Sequence, residues 1–320
     1  MLARFWGTRG SLPVAQTADA IQKKIAHALV AADGRRFADE AEADSFVEAG
    51  LSFAASGTYG GATPCVELEA GSGSYFVCDM GSGLRPFGLD SIKRSAAGHN
   101  KIYNFFLSHL HWDHIMGFPF FAPAFDPEAT IRIHAGHRDA EKALRRQQEE
   151  ISFPVPFEWL RADIEFVQLT PGEAHEVDGV RIETKLQHHS HGSYGYRFTD
   201  GDGRVVIYST DSEHKLEKMA VETAFIHFFR DADLVVCDTM YSLADSVSMK
   251  EDWGHSSNLV AVDLCHEAKA KMLALFHHEP TYDDEDIERM HLETIRYEEL
   301  TREGPALKVI CSYDGLEVRL

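Results

Sequence analysis

Ser108-His109-Leu110-His111-Trp112-Asp113-His114 follows directly on the apolar run Ile102–Leu107, and the fold is read outward from this junction. A run rich in β-branched and aromatic residues predicts a buried strand, so the histidines stand where that strand emerges. On an extended backbone His109 and His111, two residues apart, point to the same side. Once the chain turns, Asp113 and His114 swing to a neighbouring point. Two imidazoles for one ion, and a carboxylate plus an imidazole for a second, suit zinc. A surface patch of titrating histidines is the competing reading. Three histidines and an aspartate so close together at a strand end weigh against it.

Four residues cannot complete two sites, and three other apolar runs end in metal-capable side chains. Val180–Leu186 leads to His188-His189-Ser190-His191, Val205–Ser209 leads to Thr210-Asp211, and Met272–Phe276 leads to His277-His278. Any one of these alone is more often a hydrogen-bonded turn residue. Together they describe a sheet scaffold assembling a cluster at one edge.

Further strands are expected at Ala3–Trp6, Cys65–Glu69, Tyr75–Cys78, Ile131–His134, Ile164–Leu169, Gly195–Thr199, Leu234–Cys237 and Leu307–Ser312. Helices are expected over Asp139–Glu149, Glu213–Phe229, Ser257–Glu267 and Asp283–Thr301, the last opened by the acidic tract Asp283-Asp284-Glu285-Asp286. No linker separates them, so residues 1–320 read as one α/β domain with two sheets. Residues 15–56 look like a helical insertion: Ile21, Ile25, Leu29 and Ala32 share one helix face, and Phe37, Phe46, Val47, Leu51 and Phe53 add apolar mass. Such a segment is expected either to cover a cleft or to pair with a second copy in a homodimer.

The net charge of −20 sets the class of partner. An acidic surface repels nucleic acid and anionic membrane, whereas a small anionic substrate remains accessible because bound cations reverse the potential inside a cleft. No run is long and apolar enough to span a membrane and none reads as an export signal, so a cytoplasmic location is expected. Cys65, Cys78, Cys237, Cys265 and Cys311 form no Cys-x-x-Cys pair and read as buried reduced thiols without a functional role.

In order along nearly the whole chain, the sequence resembles the metallo-β-lactamase superfamily, in its ribonuclease Z-like and phosphodiesterase-like branch. The resemblance is carried by Phe5-Trp6-Gly7-Thr8-Arg9-Gly10-Ser11, Gly60-Gly61-Ala62-Thr63-Pro64-Cys65, Asp79-Met80-Gly81-Ser82-Gly83-Leu84-Arg85 and the His109–His114 motif. It continues through His189 with Gly195-Tyr196-Arg197, Ser209-Thr210-Asp211, Gly254-His255-Ser256 and Leu275-Phe276-His277. It implies a four-layer αββα sandwich of two mixed sheets and two divalent ions, zinc or alternatively manganese. One ion would be held by His109, His111, His189 and Asp211, the other by Asp113, His114, Asp211 and His277, with His278 the alternative last ligand. Asp113 and His255 carry the implied catalytic roles, and Arg9, Arg85 and His255 the substrate-binding ones. His255 reads equally well as a capping histidine, and His214 as a residue on the outer face of a helix.

The expected reaction is hydrolysis of a phosphodiester in a small anionic substrate by a hydroxide held between the two ions. The alternatives are a thioester, lactone or β-lactam hydrolase with the same site, and a non-catalytic metal sensor or partner-binding protein. A diiron redox centre is disfavoured because His111 stands where such relatives carry an acidic residue. The Glu-bearing motif expected after the bridging aspartate is replaced by Cys237-Asp238-Thr239, and no basic arm for holding tRNA is evident.

Overall fold

Strand alternation sorts the apolar residues into three layers of core. The computed structural model describes residues 1–71, 73–214, 223–242 and 253–320. One seven-stranded sheet runs in the order β14 (Glu317–Arg319), β1 (Leu2–Gly7), β2 (Cys65–Glu69), β3 (Tyr75–Cys78), β4 (Ile102–Leu107), β5 (Thr130–Ala135), β6 (Asp163–Gln168). The other runs β13 (Lys308–Cys311), β12 (Met272–Phe276), β11 (Leu234–Asp238), β10 (Val205–Ser209), β9 (Ser193–Thr199), β8 (Val180–Gln187), β7 (Ala174–Val177). Both sheets are mixed: β3 to β6 pair in parallel while β1 pairs antiparallel with β2 and β14. Likewise β10 to β13 are parallel and β7 to β10 antiparallel.

Phe106, Phe76 and Cys78 from the first sheet meet Tyr196, Val206, Tyr208, Val236 and Phe276 from the second, forming the layer between sheets. The next residue on each strand turns outward. Phe105 and Val77 pack under α3 (Leu84–Ala96) and α4 (Ala140–Gln147), against Leu84, Phe87 and Leu144. Ile207, Val235, Leu273 and Leu275 pack under α5 (Thr223–Phe229), α6 (Asn258–Ala268) and α7 (Asp284–Thr301), against Phe229, Leu264 and Ile287. Three core layers separate four structural layers, the expected αββα sandwich.

Helix α3 and strands β7 and β14 are additions to the sequence reading. Pro86 lies in the first turn of α3, where its missing N–H costs no helical bond. Of the helix expected over 213–229, residues 215–222 lie outside the described residues. His214 is a correction: it is buried beyond the end of β10, not on a helix face, with its Nε2 3.0 Å from Ser212 Oγ and its main-chain N–H donating to Ser256 Oγ at 3.0 Å.

The 15–56 segment forms α1 (Ala18–Ala32) and α2 (Glu40–Gly50), capped by Thr17 and Asp39, and neither helix buries a residue. Lys24 anchors α1 through an ion pair with the buried Asp284 at 2.7 Å and a bond to the Gly57 carbonyl at 2.7 Å. Asp283 caps α7 in a reciprocal capping box with Asp286. All five cysteines are buried and free. No helix among the described residues is long and apolar enough to cross a membrane.

Candidate metal centre

Parallel pairing of β10, β11 and β12 sets Asp211, Asp238 and His277 side by side where their strands end. Facing them from the first sheet, β4 delivers His109 and His111, and the helical turn Trp112–Ile115 presents Asp113 and His114. His189 arrives on the turn between β8 and β9. Asp211, at φ 50°, and His277, at φ 64°, occupy the left-handed region, as does Asp79 at φ 60°. Three non-glycine residues strained in this way around one cluster are the mark of a site held in shape by its surroundings.

Asp211 faces both halves of the cluster. Its Oδ2 lies 3.6 Å from His109 Nε2 and 3.7 Å from His189 Nε2, while its Oδ1 lies 3.2 Å from His114 Nε2 and 3.3 Å from His277 Nε2. His189 Nε2 stands 3.2 Å from His111 Nδ1, and Asp113 Oδ2 stands 3.1 Å from His114 Nε2 and 3.3 Å from His277 Nε2. Ligand atoms about 2.1 Å from a shared tetrahedral ion are separated from one another by about 3.4 Å. His109 Nε2 is also buried without a hydrogen-bond partner. Donor type, spacing and this orphaned nitrogen all fit divalent ions.

A second ring of contacts orients the donors. Asp79 Oδ2 accepts from Ser108 Oγ and Tyr208 Oη at 2.7 Å each and lies 2.7 Å from His114 Nδ1. His189 Nδ1 is turned to the Gly254 carbonyl at 2.9 Å. Such partners fix the tautomer and leave the other ring nitrogen for the ion. Burial, reinforced by neighbouring imidazoles, pushes His109 well below its usual range. Burial also opposes charge on His114, but Asp113, Asp211 and Asp79 outweigh it and hold that ring well above its usual range. Burial likewise opposes ionisation of Asp113 and Asp211. It is outweighed by His114 at Asp113 and by His277 and His114 at Asp211, so both carboxyls titrate below the usual range.

The sequence model of the beta-lactamase superfamily domain matches residues 78–278, more than half of the chain and the span that holds all of these donors. The chain belongs to the beta-lactamase superfamily. It is 24% identical over 237 residues to the ribonuclease Z of Oceanobacillus iheyensis, covering 59% of this chain and 74% of that protein. The metallo-beta-lactamase fold protein YhfI from Bacillus subtilis superposes with a TM-score of 0.63 at 17% identity, over 99% of this chain and 98% of that one. A diphosphatase of the PhnP family superposes with a TM-score of 0.59 at 17% identity, over 100% of this chain and 97% of that one. These last two likenesses establish the superfamily fold.

The other candidate residues divide. His277, not His278, joins the superfamily cluster; His278 is buried behind it with Nε2 donating to the Ser312 carbonyl at 2.8 Å, and burial pushes it down to about 3. Among the turn histidines, His188 lies against Phe225 and the His191 ring is 6.4 Å from His111. His255 stands at the cluster, its ring 5.3 Å from His189 and 5.2 Å from His277. Arg9, a substrate-binding candidate from sequence, is instead wholly buried and donates to the carbonyls of Gly60, Glu279 and Tyr282 at 3.0, 3.0 and 2.9 Å. A buried guanidinium held by three main-chain acceptors is a structural staple. Arg85 is exposed in the first turn of α3. Sequence reading missed Asp238, whose Oδ2 lies 2.8 Å from His255 Nδ1. Its place at the end of β11, matching that of Asp211 after β10, was the available signal.

Proposed function

We propose that this chain is a dinuclear phosphodiesterase acting on a small anionic substrate. The relation that carries the proposal is the division of Asp211 between two donor sets, Oδ2 towards His109 and His189 and Oδ1 towards His114 and His277. One ion would be held by His109, His111, His189 and Asp211, the other by Asp113, His114, Asp211 and His277, with zinc favoured by the nitrogen-rich set and manganese the alternative. When bound, such a pair of ions makes a nucleophile from water at neutral pH and offsets charge on phosphoryl oxygens.

The chain's own residues orient the groups that would meet the substrate. Burial opposes charge on His255, but Asp238, hydrogen-bonded to its Nδ1, outweighs that and raises the ring to about 9. With Nδ1 committed to Asp238, Nε2 is the donor that meets a phosphoryl or leaving oxygen. Asp113 is held by the Ser11 main-chain N–H at 2.8 Å, which keeps the carboxylate towards His114 and His277. The ribonuclease Z and diphosphatase relatives support cleavage of a phosphoester bond; the net charge of −20 disfavours a long polyanion as the ligand.

The same proposal treats residues 15–56 as an insertion into a single domain, with α1 contacting a second copy of the chain. Ile21, Ile25 and Leu29 on one face of α1 are 48%, 56% and 70% exposed. Solution scattering of a Leu29→Lys variant, against the parent, tests the dimer.

The decisive assay offers metal-loaded protein an aryl phosphodiester, the matching phosphomonoester, a thioester and a precursor tRNA. The diester should be cleaved fastest, because its single negative charge resists an anionic nucleophile less than a monoester dianion does. His255→Ala should lose turnover by roughly ten- to a thousand-fold with metal content intact, the scale of one acid or oxyanion donor. Ready thioester cleavage with no diester cleavage overturns the proposal, and processing of the tRNA overturns the small-substrate part.

A further inference from the structure

The residues that interrupt the ligands of the β4 loop have a structure of their own. Leu110 and Trp112, which alternate with His109, His111 and Asp113, form one wall of a groove of about 670 Å³. Phe120 and Phe153 form another, meeting edge to face at 5.4 Å, and α4 closes it with Lys142 and Arg146. Trp112 is 78% exposed and Phe120 57% exposed, although each adjoins a well-filled core. Consecutive Cα atoms are about 3.8 Å apart, so Trp112 stands one residue from a metal-binding side chain on either side.

Charge distinguishes this groove from the surface around it. The chain carries −20 overall, yet the groove is lined by Lys142 and Arg146 against the single acid Asp139. The adjacent Arg145 is spent on Glu141 at 2.9 Å and Glu158 at 3.0 Å. Among the described residues Lys142 and Arg146 take part in no ion pair. Exposed aromatic faces beside free cations are what a flat, anionic ligand requires: the rings stack and the cations offset its charge.

We infer that this groove receives a flat aromatic substituent of the substrate that carries a second negative charge, while the phosphodiester itself lies at the ligand cluster. The inference rests on the phosphodiesterase reading and narrows its substrate class to nucleotide-like molecules with two anionic groups. Trp112 would set the orientation of the ring, and Lys142 and Arg146 the selection for the distal charge.

Calorimetric titration of the metal-loaded protein with ribose 5-phosphate, adenosine 5′-phosphate and adenosine 3′,5′-bisphosphate tests this. Affinity should rise along that series, by about tenfold for the ring, the scale of one aromatic stack. Trp112→Ala should weaken both adenosine probes about tenfold while altering ribose 5-phosphate by less than about twofold. The double variant Lys142→Ala, Arg146→Ala should abolish the advantage of the bisphosphate over the monophosphate, and Trp159→Ala, outside the groove, should bind as the parent does. Equal binding of all three probes, or groove variants indistinguishable from the parent, overturns the inference. Because the readout is binding, the two readings fail separately. The affinity ladder without diester cleavage leaves the groove standing and removes the phosphodiesterase; cleavage without the ladder does the reverse.

Discussion

Asp79 and His114 meet at 2.7 Å, carboxylate Oδ2 against ring Nδ1. The same carboxylate takes the Ser108 main-chain N–H, the Ser108 hydroxyl and the Tyr208 phenol, each at 2.7 Å, so its position is fixed from every side. His114 is therefore held with Nε2 towards Asp113 and Asp211. Asp79→Asn keeps the shape but replaces a charged acceptor with a neutral amide. It should weaken the ion on the Asp113 side about 10- to 100-fold, the usual effect of removing an orienting partner. Competition with a chromophoric chelator measures this, and an unchanged pair of affinities would refute it.

The two consecutive histidines after β12 should behave differently. His277→Ala removes a donor 3.3 Å from both Asp113 and Asp211, so elemental analysis should find about one ion fewer per chain. His278→Ala should keep the full metal content and lose about 1–3 kcal/mol of stability, because it deletes a buried hydrogen bond to Ser312. Asp211→Ala should lose both ions together with all activity.

Arg9→Met leaves the carbonyls of Gly60, Glu279 and Tyr282 without their donor inside the fold. The expected cost is about 2–4 kcal/mol, read from the denaturant midpoint. The KM for phosphodiesters should stay at the parent value under native conditions. A raised KM with unchanged stability would return Arg9 to the substrate.

His134 provides a pH test away from the candidate metal ligands. It is buried, stacked on Phe106 at 4.7 Å with Nε2 3.3 Å from Asn104 Oδ1, and burial, aided by Arg132, pushes it down to about 4. Its folded value lies below the unfolded value of about 6.5. As pH falls below about 6.5 the unfolded chain takes up a proton that the folded chain refuses, and stability drains until about pH 4. The full loss is at most roughly 3 kcal/mol. His134→Gln removes this contribution, so between pH 7 and 4.5 the parent should lose stability relative to the variant. Chelator-treated protein in both arms keeps ion release out of the comparison.

Legibility in the sequence followed burial. β4 was readable because Phe105 and Phe106 bury opposite faces in different core layers, leaving a continuous apolar run. β7 and β14 were not, because short edge strands with exposed alternate residues acquire their identity from a pairing partner. Gly83 and Pro86 disguised α3 as a turn. The cluster was legible as strand ends: His109, His111, Asp113, His114, His189, Asp211 and His277 all come together. Asp238 is hidden in the sequence because it closes β11 inside Cys237-Asp238-Thr239, which departs from the expected motif. Nothing local distinguishes the buried staple Arg9 from a ligand-binding arginine, since both follow a glycine turn. Only the carbonyls that surround it make the difference.

The candidate ligand cluster is drawn from both sheets: His109, His111, Asp113 and His114 from one, His189, Asp211 and His277 from the other. It therefore acts as a gauge of the gap between them. Donor atoms that must stay about 3.4 Å apart to share an ion tolerate little slippage, and the spacing is set by rings between the sheets, such as Phe106 on Phe198 at 5.1 Å and Phe5 on Phe276 at 6.1 Å. A ring truncated in this layer, such as Phe198→Leu, would be reported in the buried cluster as weaker metal affinity.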